Sequence, residues 1–386
     1  MPIVRFLATR DGEVAASLPP LELTPEQTTL SGLREVFLER TGERAFVLHD
    51  DGLGFGLKKD AYLVRLEGNI LDVAEAYPPL EHARAWQQPG WFDETLRWLE
   101  DPLGETVSTV RQVSTNDFAC VTRVETENRI VYLKASETGL EAALSTHLVD
   151  RHPALTPDVV ARNEPRHLLV TENCGARLSE SNDLDVWHTA VENLVRFQWA
   201  ADAHVFRALG CPVRAFTDLA DRAETFLRDA DTLRRWGLTA PQVSALAERI
   251  PHVRRAHERV SALGLPLLPA HGDAHPMNAL TGCGVWFDWS EACVAHPLLD
   301  VGWFLAREKL LPPRQTYPDV AATLWQTYLR IFHLPKTTGL NDAVTLALMH
   351  RALVYHEKFG SWQGTIPGWR PESVPYTLRC LLKLPL

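Results

Sequence analysis

The stretch HGDAHPMNALTGCGVWFDWSE, residues 271–291, constrains the fold of this 386-residue chain more than any other. Two short apolar runs flank the break Thr281-Gly282-Cys283-Gly284, the signature of a hairpin turn. Pairing Leu280 with Val285 and Ala279 with Trp286 sets Asn278 opposite Phe287. Asn278 and Asp288 then emerge at one end of the hairpin, beside the loop that carries Asp273. Three oxygen-bearing side chains converge on one small volume. Hard oxygen ligands supplied one or two at a time, with room for water and phosphate oxygens, suit magnesium, whereas zinc asks for nitrogen or sulfur. The stretch therefore reads as a magnesium-nucleotide site. His271 and His275 have the spacing of a zinc HxxxH pair, but that motif needs a regular helix, and Gly272 and Pro276 argue against one.

Composition narrows the partners. With 45% hydrophobic and 23% charged residues, the chain reads as an ordinary soluble protein long enough for two or three domains. A formal net charge of -10 speaks against a broad nucleic-acid footprint. No apolar run reaches membrane-spanning length, and MPIVRFLATRDGEV carries no basic segment followed by a long apolar stretch. The expectation is a cytoplasmic protein with neither nucleic-acid nor membrane partner. Six cysteines lie scattered without a CxxC pair, which suggests reduced, mostly buried thiols rather than a disulfide framework or a zinc site.

AWQQPGWFDETLRWLEDPLG, residues 85–104, reads as a helix with turn signals at each end and places a domain boundary near residue 104. Ahead of it, IVRFLAT, RAFVLHD and AYLVRL read as strands and TLSGLREVFLERTG as a helix closing on Gly42, together a small α+β domain. In element order this domain resembles a Nudix domain, with LPPLEL ahead of an acidic helix. Pro20 and Leu38 stand near the places of the Nudix glycine and Glu-Glu pair, so the metal-binding carboxylates are mostly missing. An unrelated small domain with a solvated acidic helix is the alternative.

Beyond the boundary, RQVSTNDFACVTRV and RIVYLKA read as three strands, ETGLEAALSTHLVD as a helix, and HLLVTENCGARL as a strand running into a turn. Helices follow. In DVWHTAVENLVRFQWAADAHVF the apolar face is Trp187, Val191, Leu194, Val195 and Trp199, and further helical stretches lie around 219–235, at 241–262 and from about 317 onward.

HGDAHPMN resembles the catalytic loop of aminoglycoside-phosphotransferase-like kinases, and VWFDWSEACVAHPLLDVGWFLA resembles their metal-binding segment. The two are adjacent and in order, and Asn278 follows Asp273 by five positions, as in the wider protein-kinase pattern. VYLKA and GLEAALSTHL are similar to the lysine strand and its glutamate-bearing helix, and HLLVTENCGARL to the hinge strand, so the likeness covers roughly residues 105–307. It implies an α+β, two-lobed protein-kinase-like fold, with a mainly β lobe at 105–174 and a helical lobe at 175–386, after the N-terminal α+β domain of residues 1–104.

The resemblance implies that Asp273 accepts or orients the acceptor hydroxyl, while Asn278 and Asp288 hold Mg2+ on the phosphates of ATP. Lys134, at the end of an apolar strand, would reach those phosphates with a carboxylate holding it in place. Glu141 is preferred to the nearer Glu137 because it lies in the helical run whose Leu140, Leu144 and Leu148 pack on the sheet. Adenine would contact the hinge at Thr171, Glu172, Asn173 and Cys174. His271 would tie the loop to neighbouring carbonyls, and Asp300 would either brace the loop or cap its own helix.

Two departures stand out. STNDFACVTRV has no glycine where a phosphate-covering loop should lie, which leaves backbone amides and the Ser114 and Thr115 hydroxyls to approach the phosphates. Ser290 stands where many relatives carry a glutamate, so the metal site is loosened or the carboxylate has moved to Glu291. The implied reaction is transfer of the terminal phosphate of ATP to a hydroxyl of a small molecule. The alternative is a nucleotide-binding module without turnover, its N-terminal domain acting as a recruitment surface.

Overall fold

The computed structural model of the chain describes residues 3–10, 13–17, 21–41, 45–49, 62–68, 82–88, 90–282, 284–307, 311–312, 319–360 and 372–385. Pro20 and Gly42, invoked for the Nudix-like segment and the end of the first helix, and Cys283 of the hairpin turn lie outside them. Two units are formed, one from residues 1–142 and 159–173, the other from 143–158, 174–362 and 370–386.

The first unit opens with β1 (Ile3–Arg10), β2 (Glu13–Ser17), β3 (Leu21–Glu22), α1 (Leu30–Thr41), β4 (Ala45–His49) and β5 (Tyr62–Gly68). β1 pairs antiparallel with β2 and β3 and parallel with β5, which pairs antiparallel with β4. α2 (Trp91–Leu103) follows and stops at Gly104, whose φ of 64° lies in the left-handed region that glycine adopts without steric cost. A second sheet is antiparallel throughout: β6 (Thr109–Thr115), β7 (Ala119–Glu125), β8 (Ile130–Ser136) and, after α3 (Leu140–Arg151), β9 (Val159–Asn163) and β10 (Leu168–Glu172), in the order β6-β7-β8-β10-β9.

Every second residue of β7 and β8 is buried, the period of a strand with one covered face. Cys120, Thr122, Val124, Val131, Leu133 and Ala135 therefore turn inward and Lys134 stands on the opposite face. The cover is α2, whose buried Trp91, Phe92, Leu99 and Leu103 share one core with those strands and with Leu48 of β4. Phe92 stacks on Phe46 at 4.2 Å. Gln112, 3% exposed, accepts from the Val47 amide and donates to the Val47 carbonyl, each at 2.8 Å. Its side chain supplies a ladder pairing beside the bulge in β6 between Gln112 and Ser114. Residue 104 thus ends a helix that is packed in the same core as the strands after it.

The second unit is mainly helical: α4 (Leu184–Ala200), α5 (Ala203–Ala208), α6 (Leu219–Arg228), α7 (Ala230–Arg235), α8 (Ala240–Glu248), α9 (Ile250–Ser261), the short strands β11 (Leu268–Ala270) and β12 (Cys293–Ala295), then α10 (Leu298–Ala306), α11 (Val320–Ile331), α12 (Leu340–Gly360) and α13 (Ser373–Lys383). The helix expected over 241–262 is two, α8 and α9, with Pro251 in the first turn of the second. Trp199, expected on the apolar face of α4, is instead 48% exposed and rests on Phe332 at 4.8 Å, while Gln198 takes the buried place. α12 is buried without interruption from Asp342 to Val354, as befits a central helix. α10 lies against it at Gly302, where a Cβ would come within 2.3 Å of the Ala343 carbonyl. Among the described residues no helix is long and apolar enough to cross a membrane.

Candidate active site

β11 and β12 pair antiparallel with Ala270 opposite Cys293, and the chain leaves β11 directly into the loop that carries Asp273. Gly272 has a φ of 78°, and a Cβ there would meet the Glu291 carbonyl at 1.9 Å, so the turn admits only glycine. Asp300, in the first turn of α10 and 3% exposed, holds this loop from behind. Its Oδ2 accepts the His271 amide at 2.8 Å and its Oδ1 the Gly272 amide at 3.0 Å. The N-cap of α10 is Pro297, so of the two roles open to Asp300 the bonds are those of a brace. Gln198 donates to Asp300 Oδ2 at 3.3 Å and is itself held by the Tyr328 hydroxyl at 3.0 Å. Burial pushes the Asp300 carboxyl above its ordinary range against the pull of these N–H donors.

His271 is fully buried; its Nε2 donates to the Phe287 carbonyl at 2.9 Å and its Nδ1 accepts the Asp273 amide at 3.3 Å. Both ring nitrogens are committed to backbone. Asp273 receives the indole N–H of Trp303 at 2.9 Å and the guanidinium of Arg351 at 3.1 Å, both on Oδ1. Arg351, 3% exposed, also donates to the Gly272 carbonyl and lies over the Tyr355 ring at 4.2 Å. Burial alone would raise the Asp273 carboxyl, but the guanidinium beside it prevails and holds the group below the usual carboxylate range. His275 faces Asp273 Oδ2 with Nε2 at 3.6 Å while its Nδ1 accepts the Met277 amide at 3.2 Å. Burial brings its pKa down to about 4, so the ring is neutral with its proton on Nε2.

The pairing expected for residues 278–287 is present. Ala279 and Trp286 form an antiparallel bridge, the Leu280 amide donates to Val285 at 2.9 Å and the Phe287 amide to Asn278 at 3.0 Å. Trp286 and Trp289, both fully buried, donate their indole N–H groups to the Ala190 carbonyl at 3.0 Å and the Trp286 carbonyl at 3.1 Å, anchoring the segment that presents Asp288. Asn278 donates Nδ2 to the Asp273 carbonyl at 3.1 Å, which leaves Oδ1 as its acceptor end. Asp288 has a φ of 62°, and the Ser290 hydroxyl donates to its Oδ1 at 2.7 Å. Ser290 thus orients Asp288, while Glu291 is engaged in an ion pair with Lys358. Among the described residues no group of three or more His, Cys, Asp or Glu is placed to hold a metal. Asn278 and Asp288 form a two-oxygen set, which suits a hard cation completed by phosphate oxygens and water.

In the first unit, Lys134 Nζ lies 2.7 Å from Glu141 Oε2 at the start of α3. Glu137, the competing carboxylate, pairs with Arg84 at 3.2 Å. Thr171 and Glu172 stand opposite Tyr132 and Val131, and the Asn173 amide donates to Ile130 at 3.3 Å. Ser114 and Thr115 end β6, opposite Val121 and Cys120. The turn after them is held without glycine: Asn116 Oδ1 accepts the amides of Phe118 at 2.8 Å and Ala119 at 3.1 Å. Trp86 donates to the Asn116 carbonyl at 2.7 Å, Arg84 to the Asp117 carbonyl at 3.0 Å, and Gln87 to Asp117 Oδ1 at 2.9 Å. In the second unit the Cys174 carbonyl accepts the Gly282 amide at 3.0 Å. Asp273, Asn278, Asp288, His271 and Asp300 therefore form one neighbourhood, and Lys134 with Glu141 a pair in the other unit. Sequence reasoning passed over Trp303, Arg351 and Gln198. Trp303 follows Asp300 by three on one helix, and Arg351 interrupts the apolar run ALMHRALV, both signals of a buried polar network.

The model of the phosphotransferase enzyme family (APH) matches residues 104–339, well over half of the chain. The chain belongs to that family. No curated protein matches it. Among solved structures, the GDP complex of aminoglycoside 2'-phosphotransferase-IIIa is similar with a TM-score of 0.53 and 11% identity, covering 76% of this phosphotransferase-family chain and 97% of its own. Macrolide 2'-phosphotransferase type I gives a TM-score of 0.50 at 16% identity, covering 75% and 96%. A choline kinase from Streptococcus pneumoniae gives 0.50 at 14%, covering 76% and 99%. Likeness at these identities carries the fold, which is the α+β, two-lobed protein-kinase-like one expected from the motifs.

Proposed function

We propose that this phosphotransferase moves the terminal phosphate of ATP to a hydroxyl of a small molecule, with residues 105–386 as the catalytic part and residues 1–104 as an N-terminal domain that supports it. The observation that carries the reading is Asp273, ionised, fixed on three sides and set beside the Asn278–Asp288 oxygen pair. In the reaction the acceptor oxygen attacks the γ-phosphorus, the bond from that phosphorus to the bridging oxygen of ADP breaks, and the hydroxyl proton passes toward Asp273. Phosphoryl transfer has a loose transition state, so orientation of the hydroxyl matters more than the strength of the base, and a carboxylate of depressed pKa suffices. Asn278 and Asp288 would hold Mg2+, which would supply positive charge against the charge developing on the phosphate oxygens. Lys134, fixed by Glu141, grips the phosphates, and Thr171, Glu172, Asn173 and Cys174 border the adenine. Ser114, on the same face of the sheet as Lys134, and the amides of the following turn lie against the phosphates, whereas Thr115, opposite Cys120 on the covered face with its hydroxyl oxygen buried, does not take the part expected of it.

The test is Asp273→Asn in the full chain. ADP release, with or without an acceptor, should fall by about 10²- to 10⁴-fold, the usual worth of a positioned acid–base group. The thermal shift given by ATP with magnesium should persist and exceed that given by ATP with EDTA. Equal ADP release by wild type and variant would favour the nucleotide-binding module, and equal shifts with magnesium and EDTA would remove the metal assignment.

A further inference from the structure

One face of α10 is directed at the catalytic loop, and it is only partly used by the chemistry described so far. Asp300 and Trp303 lie on it, three residues apart, and Arg307 follows four residues later at the helix end. Asp300 binds the amides of His271 and Gly272, and Trp303 binds Asp273. The Arg307 guanidinium lies over the Trp303 ring at 5.0 Å and over Tyr376 of α13 at 5.0 Å. Trp303 thus touches Asp273 through its N–H edge and Arg307 over its ring, and the Arg351 guanidinium lies over the same ring at 5.6 Å.

Several other charges around the loop are matched. Arg351 is paired with Asp273, Lys358 with Glu291, and Asp300 is satisfied by N–H donors. Arg307 makes no ion pair among the described residues, and its Nε is buried without a hydrogen-bond partner. A guanidinium half-enclosed by aromatic rings has lost part of its hydration, and an idle buried donor is costly unless something completes it. Its positive charge also reaches the loop, where it is one of the influences that keep His275 neutral. A planar fork of donors favours a carboxylate or phosphate.

We infer that the acceptor is a small hydroxyl compound carrying an anionic group, a carboxylate or a phosphate, which Arg307 receives beside Trp303, the residue that also holds Asp273. The inference rests on the kinase reading and names its substrate class. The experiment offers the full chain, with ATP and magnesium, two matched sets of hydroxyl compounds: glycerate, glycerol 3-phosphate, glycerol and serinol, and gluconate, glucose 6-phosphate, glucose and glucosamine. The readout is the change in ADP release and in thermal stability as each is titrated. The anionic members should act at concentrations at least about tenfold below their amine counterparts, the carboxylate and phosphate arms distinguishing the two groups. Arg307→Gln should abolish that preference and Arg307→Lys should restore part of it. Equal responses across a set, none included, a preference for serinol or glucosamine, or an undiminished preference in Arg307→Gln would overturn the inference. Loss of the kinase reading looks different: wild type would then show no magnesium-dependent ATP shift and no ADP release at all.

Discussion

Trp303 donates its indole N–H to Oδ1 of Asp273 at 2.9 Å across thirty positions of sequence. With Arg351 on the same oxygen, Oδ1 is fully engaged, and Oδ2 faces His275, which leaves it for the acceptor hydroxyl in the proposed reaction. Trp303→Phe keeps a ring in the same place and removes the donor. A hydrogen bond to a charged group is worth about 1.5–3 kcal/mol, so the carboxylate should lose its fixed orientation and turnover should drop roughly tenfold or more. The shift given by magnesium-ATP should stay near wild type, since the nucleotide does not touch Trp303 in this reading. Initial rates and thermal shifts measured side by side decide it; an unaltered rate would reduce Trp303 to packing.

Lys134 and Glu141 are a pair in which the carboxylate is 3% exposed, so the two should not behave alike when removed. Lys134→Ala strands a buried charge and should cost about 3 kcal/mol of stability as well as affinity for ATP. Glu141→Gln leaves the lysine charged but loosely held. Stability should change less, while the KM for ATP rises about tenfold. The double variant Lys134→Met, Glu141→Gln should recover much of the stability and none of the activity. Denaturant unfolding and ATP kinetics on the three variants test this, and additive stability losses would argue that the pair is not coupled.

The hairpin that presents Asn278 and Asp288 is legible in the sequence because its register follows from local rules. A glycine break fixes the turn, and period-two pairing then places Asn278 opposite Phe287, where the structure has it. The apolar face of α3 singles out Glu141 over Glu137, whereas Arg84, which pairs with Glu137, is brought there only by the fold. Arg351 and Gln198 lie 78 and 75 residues from Asp273, on α12 and α4, and no local pattern brings them to the loop. The core shared by α2 and β7–β10 is hidden for the same reason, as is the tie from β6 to β4: Gln112 reads as an ordinary strand polar residue, and only the fold shows it bonding Val47.

The turn Asn116–Phe118 lacks the glycine that a phosphate-covering loop usually has and is held by residues 84–87 instead. Gln87, 2% exposed, donates Nε2 to Asp117 Oδ1 while its Oε1 accepts the Arg84 amide. Gln87→Glu keeps the acceptor and replaces the donor with a second carboxylate. Two buried anions repel, so the turn should be pushed off its anchor, with about 2 kcal/mol lost and a several-fold higher KM for ATP. The effect on stability should shrink below about pH 5, where one of the two takes a proton. A KM equal to that of wild type despite the loss of stability would show that the turn does not approach the nucleotide.

Arg351 holds the Asp273 carboxyl below its ordinary range although burial alone would raise it. A carboxyl with a depressed folded pKa stabilises the fold above its unfolded value of about 4, and that contribution disappears as the pH falls through the folded value. In wild type, therefore, neither Asp273 nor the neutral His275, with its pKa of about 4, should produce an inflection in turnover between about pH 5.5 and 8. Arg351→Met leaves burial opposed mainly by His275, which is itself uncharged at neutral pH, so the Asp273 pKa must rise. The acid limb of kcat should move upward by about one unit or more. At pH 7.5 the unpaired carboxylate should cost about 3 kcal/mol of stability, and the deficit should narrow toward pH 5 as Asp273 takes up a proton. Rate profiles and denaturant unfolding of both proteins at matched pH check the sign. Parallel profiles with a constant deficit would mean that Arg351 supports the loop through its bond to the Gly272 carbonyl alone and leaves the charge of Asp273 untouched.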